Sequence, residues 1–125
     1  KMQNNNAKSK IELKVRAYHY AIAIIKFIDS LDKKDFSAAI IARQLIRSAT
    51  SVGANIIEAQ AGSSKKDFTN FFAHALKSAN ESKFWLGLLR DSEKADKQRA
   101  DDLLQETKEL ANILGSSILT LKGKK

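Results

Sequence analysis

Cysteine and proline are both absent from this 125-residue chain. Without cysteine there is no disulfide, no thiolate nucleophile, no thiolate zinc site and no iron–sulfur cluster. Without proline the usual helix breaker is gone. Histidine is scarce, with only His19 and His74. Neither has a glutamate three residues before it, which removes the Glu-x-x-His pairs of di-iron bundles. Arg16 and His19 enclose only two residues, too few for the Arg–His spacing of helical-bundle ribonucleases. The five glycines are scattered and build no phosphate loop. No apolar run approaches the roughly 18–20 residues that span a bilayer, and no leader pattern is visible. The expectation is a soluble, cytoplasmic, helical protein that is not an enzyme, holds no cofactor or metal and has no membrane partner.

What the chain has in excess is positive charge. Lysine and arginine number 22 against 14 acids, a formal net charge of +8. Residues 1–36 carry eight bases and four acids, residues 63–90 five and two, and residues 91–125 seven of each. A basic domain attracts polyanions, nucleic acid foremost; the plainer reading is a lysine-rich solvated surface.

Apolar residues make up 43% of the chain and recur at helical spacing. Ile11, Val15, Tyr18, Ile22, Ile25 and Ile28 read as the buried face of a first helix, with Ser9 and Glu12 as a capping box. A second helix is expected over residues 37–61, capped by Ser37 or Asp35 and stopped by Gly62, with Ile41, Leu45, Ala49, Val52 and Ile56 inward. Gly53, in mid-helix, marks a close approach or a bend. A third follows Ser64 and ends near Asp91, and a fourth follows Asp96. Short connections make neighbours antiparallel, so the expected fold is an all-α, up-down-up-down four-helix bundle over residues 10–122. Residues 1–9 read as a flexible arm and 123–125 as a basic tail.

Helices three and four carry more apolar residues than one buried face needs. Phe71, Phe84, Trp85, Leu88, Leu104 and Ile118 are therefore interface candidates for a homo-oligomer, or else a wide core with some exposed aromatics. Phe84 and Trp85 also suit stacking on bases, with packing the plainer role. On the second helix Gln44, Arg47, Ser51, Asn55 and Glu58 share an arc of about 80°. Asparagine and serine are poor mid-helix choices, so their clustering suggests a hydrogen-bond network that fixes register or subunit packing, with Glu81 as a cross-helix partner for Arg47. The competing reading is a ligand or nucleic-acid contact. Lys10, Lys14, Arg16, Lys65, Lys66, Lys77 and Lys83 are the candidate phosphate contacts. A catalytic reading of His74 or Glu58 as nuclease residues is the remotest alternative.

The run Gln44-Leu45-x-Arg47-x-Ala49-x-Ser51-Val52-Gly53-Ala54-Asn55-Ile56-x-Glu58 resembles the signature of four-helix bundle proteins encoded in intervening sequences of bacterial 23S ribosomal RNA genes. Lys65-Lys66-Asp67-Phe68 and Ala75-Leu76-Lys77-Ser78-Ala79-Asn80-Glu81-Ser82 are similar to that family's third helix, and the resemblance runs from about Ile11 to Leu121. The chain departs from the pattern at Ile46, where the family often has arginine, and at Ala59, where it commonly has glycine. No basic contact is therefore carried over to position 46. The resemblance implies a left-handed bundle assembled as a homopentamer. It also implies kinship with accessory proteins of diversity-generating retroelements, which associate with reverse transcriptase and with RNA or DNA. An adaptor for a protein partner is accordingly the alternative to a nucleic-acid binder. The resemblance assigns no catalytic role to Arg47, Ser51, Asn55 or Glu58.

Overall fold

The computed structural model describes residues 5–62 and 64–123, with side chains described from Leu13 onward. Four helices and no strands are found among the described residues: α1 (Asn5–Asp29), α2 (Phe36–Ala61), α3 (Lys65–Asp91) and α4 (Lys97–Leu121). α1 is already helical at Asn5, ahead of the expected start, so its helix includes part of the stretch read as an arm. The side chains of Ser9, Lys10, Ile11 and Glu12 lie outside the described residues. The other three starts follow local cap chemistry. Asp35 accepts from the Ala38 amide at 3.1 Å, Ser64 from Asp67 at 3.0 Å and Asp96 from Arg99 at 2.9 Å. Each satisfies an amide that the helix itself cannot.

The stops are less uniform. α2 ends before Gly62, whose φ of −69° is extended, so the glycine is not used for a left-handed turn. α3 ends in a Schellman turn: Glu93 has φ 62°, its amide donates to the Arg90 carbonyl, and Lys94 donates to Leu89 at 2.9 Å. That turn aims Lys94, whose Nζ lies 2.9 Å from Asp35, so the α3–α4 connection is tied to the start of α2.

Consecutive helices pack together and α4 closes the ring against α1, while among the described residues the backbones of the diagonal pairs stay apart. Cross-helix pairs run in opposite residue order, Ser48 with Ser82 then Ser51 with Ser78, and Arg16 with Glu109 then Tyr20 with Thr107. The core is Ile24 and Phe27 from α1, Leu45, Val52 and Ile56 from α2, Leu86 and Leu89 from α3, and Leu110 and Leu114 from α4. Ile41 is half-buried, and the rest of the α2 stripe lies inside as expected. At Gly53 a Cβ would lie 3.5 Å from the Ala17 Cβ, an ordinary packing distance, so α1 and α2 meet here without requiring the glycine.

α1 departs from its expected buried face at Val15, Tyr18 and Ile25, while Ile22 is half-buried and Ile28 packs against the core as expected. Leu13, Ala17, Tyr20, Ile24 and Phe27 face the core, whereas Val15 is 48% exposed, Tyr18 65% and Ile25 40%. The helix carries two apolar stripes. The one with the cleaner sequence period, Val15-Tyr18-Ile22-Ile25, is turned outward, because Tyr20 brings both bulk and a hydroxyl that finds a partner inside.

Candidate nucleic-acid interface

Where helices pack tightly, residues between them must be small or have hydrogen-bond partners. Between α2 and α3 they are both. Ser48 and Ser82, 5% and 0% exposed, meet hydroxyl to hydroxyl at 2.8 Å. One turn along, Ser78 donates to Ser51 at 3.0 Å, and Asn55 Nδ2 donates to the Ser51 hydroxyl at 2.9 Å and its carbonyl at 2.8 Å. The Tyr20 hydroxyl lies 2.7 Å from Thr107 Oγ1. Thr107 already donates to the Leu103 carbonyl at 2.6 Å, so the phenol is the donor of the pair. Burial pushes the Tyr20 phenol up to about 12, against a smaller opposite pull from its hydrogen bonds to Thr107 and Ser82. Tyr20, Ser48, Ser82 and Thr107 thus form a polar layer with one member on each helix. No buried side-chain nitrogen or oxygen is left without a partner among the described residues.

This network differs from the one expected. Ser51 and Asn55 belong to it, but the side chains of Arg47 and Glu58 are exposed and make no ion pair or hydrogen bond among the described residues, and Gln44 is half-buried beside them. Glu81 does not meet Arg47; it accepts the Trp85 indole N–H at 3.0 Å. Sequence reading missed Tyr20, Ser48, Ser82 and Thr107 as a set. Their only signal was small or hydroxylated residues at core positions.

The candidate cations divide. Arg16 clamps α1 to α4, with Nη2 at 2.6 Å from Glu106 and 2.9 Å from Glu109. Its hydrogen bond to Glu106, with a smaller contribution from Glu109, raises the guanidinium above its ordinary pKa, so it is already committed to carboxylates. Lys14 is exposed on α1, and Lys10 lies outside the described side chains. Lys65, Lys66 and Lys77 are exposed on α3 and Lys83 is half-buried there. Because α1 and α3 sit across the bundle's diagonal, the two groups do not form one surface within a single copy.

Neighbouring α2 adds two exposed cations, Arg47 on its outer side and Arg43, which lines the cavity with Asp29, Asp32 and Lys33 at the end of α1. Together Arg43, Arg47, Lys65, Lys66, Lys77 and Lys83 are opposed on these two helices by Glu58, Asp67 and Glu81, apart from the paired Arg90 and Asp91. None of the six makes an ion pair among the described residues. Three of the four acids of α4, by contrast, are taken up in bridges, Asp101 by Arg90 and Lys97 and Glu106 and Glu109 by Arg16, while Asp102 accepts from Gln98.

Of the interface candidates, Phe71, Trp85, Leu104 and Ile118 are half-buried against the core, whereas Phe84 is 58% and Leu88 38% exposed. No group of three or more potential metal ligands occurs among the described residues, and no helix there is long and apolar enough to cross a membrane.

Four packed helices around a hydroxyl layer place the molecule among all-α helical bundles. Within that class, the chain belongs to the 23S rRNA-intervening sequence protein family, whose profile matches residues 9–116. It is similar to a crystal structure from Bacteroides thetaiotaomicron, a protein of unknown function from the S23 ribosomal protein family. The TM-score is 0.79 and the identity 33%, over 85% of this chain and 97% of the other. Neither match is described as an enzyme. No curated protein matches the chain.

Proposed function

We propose that the protein is a non-enzymatic, self-associating bundle that holds nucleic acid, RNA foremost, against the basic face of α2 and α3. The observation that carries this reading is the charge imbalance of these two helices, six cations without ion pairs among the described residues against three carboxylates. Cations not committed to acids are free to displace counterions from phosphates, which gives affinity and salt dependence but little sequence preference. The test is binding of an RNA strand at increasing salt. Affinity should fall steeply, and replacing Arg43, Arg47 and Lys77 together by glutamine should flatten the salt slope by about two to three units. No binding at low ionic strength, or a slope unchanged in the triple variant, overturns the reading.

The opposite residue order of the cross-helix pairs supports an up-down-up-down course for the chain. Self-association is supported by the outward stripe of α1, where Val15, Tyr18 and Ile25 stand exposed beside one another. Light scattering should give a multiple of 13.9 kDa, and Tyr18→Glu combined with Ile25→Glu should reduce it to one copy. A wild-type chain that scatters as a single copy removes self-association while leaving the basic face to its own test.

A further inference from the structure

We infer that Phe84 is a stacking platform for a nucleobase, so that the strand held on the basic face is single-stranded; this rests on the nucleic-acid reading above. On α3, Lys66, Lys77, Phe84 and Leu88 fall within an arc of about 40° on the outer side of the helix. Phe84 is 58% exposed and so forgoes the burial that a phenylalanine ordinarily gains. Its ring is nevertheless supported. It lies edge-on to Trp85, with centroids 5.0 Å apart and planes at 67°. Trp85 in turn packs on the core and donates its indole N–H to Glu81 at 3.0 Å. A ring braced in this way presents aromatic surface with little left to order on binding.

The surroundings favour a polyanion over a second copy as the occupant. Lys77 lies two turns before the ring on the same arc, and the acid within a turn of the ring, Glu81, is engaged by the Trp85 indole N–H. A second copy would bring the same excess of cations to this face and be repelled. A nucleic-acid strand brings phosphates for the lysines and flat bases for the ring, and stacking of this kind tolerates any base. A duplex keeps its bases stacked inside and would engage only the cations.

Trp85 is the only tryptophan in the chain, so its fluorescence reports contact at the neighbouring ring. The full chain should be titrated with RNA and DNA single strands of about 12 nucleotides and with a duplex of the same length. Single strands of both sugars should quench Trp85 and bind more tightly than the duplex. Phe84→Ala should weaken single-strand binding about 5- to 150-fold and leave duplex binding within about twofold. Phe84→Tyr should keep the wild-type affinity, and Phe84→Leu, apolar but unable to stack, should fall with alanine. Thermal melts verify that each variant is folded. Unchanged single-strand binding in Phe84→Ala, or a preference for duplex, overturns the stacking role and leaves the basic face standing. A drop in scattering mass in Phe84→Ala assigns the ring to contact between copies and overturns it too. Failure of every nucleic acid to bind overturns both readings.

Discussion

The α2–α3 seam and the α1–α4 seam solve the same packing problem with different materials. α2 and α3 share the most extensive contact in the bundle, and small residues make it: Ala49, Ala75 and Ala79 are fully buried, and serine hydroxyls pair across the gap. α1 and α4 share the least. Their seam is held by the half-exposed clamp of Arg16 on Glu106 and Glu109, the Arg99 guanidinium 5.8 Å above the Phe27 ring, and one buried bond from Tyr20 to Thr107. Dry, close packing is insensitive to salt and acid, whereas an ion-pair clamp at the surface responds to both. One half of the bundle is thus built to be rigid and the other to be conditional.

The contrast is sharpest at Ser82. Ser82→Leu should force bulk into a gap that admits only a hydroxyl and strip Ser48 of its partner. The expected loss is about 3 kcal/mol, read as a lower urea midpoint, and it should be the same at low and high salt. A loss near zero would mean that the seam is loose and the comparison wrong. Tyr20→Phe should cost less, about 1 kcal/mol at neutral pH, since Thr107 keeps its bond to Leu103. Its signature lies in alkali. The folded phenol ionises at about 12, above the usual value near 10. The unfolded chain therefore releases its proton first, and wild-type stability falls as pH rises between those values. The phenylalanine variant should lose that component of the alkaline slope.

The smallest effect is expected at the clamp. Arg16→Met should cost less than about 1 kcal/mol, and the difference should largely vanish at about 1 M salt. The Glu109 carboxyl is held below its ordinary range by Gln105 first and Arg16 second, and that of Asp35 by Lys94 first and the Ala38 amide second. Such groups stabilise fully above the unfolded carboxylate pKa of about 4 and lose that contribution as pH falls through the lowered folded value. Melts from neutral pH down to about pH 2 should therefore show Arg16→Met converging on wild type in acid. Divergence there would place the clamp's contribution in packing of the arginine stem.

Where the chain announced itself was at the ends of its helices. Asp35, Ser64 and Asp96 are local signals, each acting on an amide three residues away, and a sequence displays such relations openly. The inward face of α1 was not legible, because two apolar stripes share that helix and periodicity cannot say which is inside. The Arg16 clamp joins residues 90 and 93 apart in sequence, a relation no local pattern contains. Ser51 and Asn55 were identified as network members because both are odd choices in mid-helix. The cross-helix partner of Ser51, Ser78, carries no local signal of that role, and Arg47 and Glu58 share the arc although both stand exposed. The hydroxyl layer escaped notice for a similar reason: Tyr20, Ser48, Ser82 and Thr107 acquire meaning only when four helices meet.

That layer bears on a choice that grease alone cannot make. A helix oily on two sides, like α1, has two plausible ways to lie down, and oil does not discriminate strongly between them. The Tyr20 hydroxyl discriminates, since rolling the helix over would leave it and Thr107 each without the other. A directional bond between the first helix and the last thereby favours one seating, and the side it rejects is left facing outward.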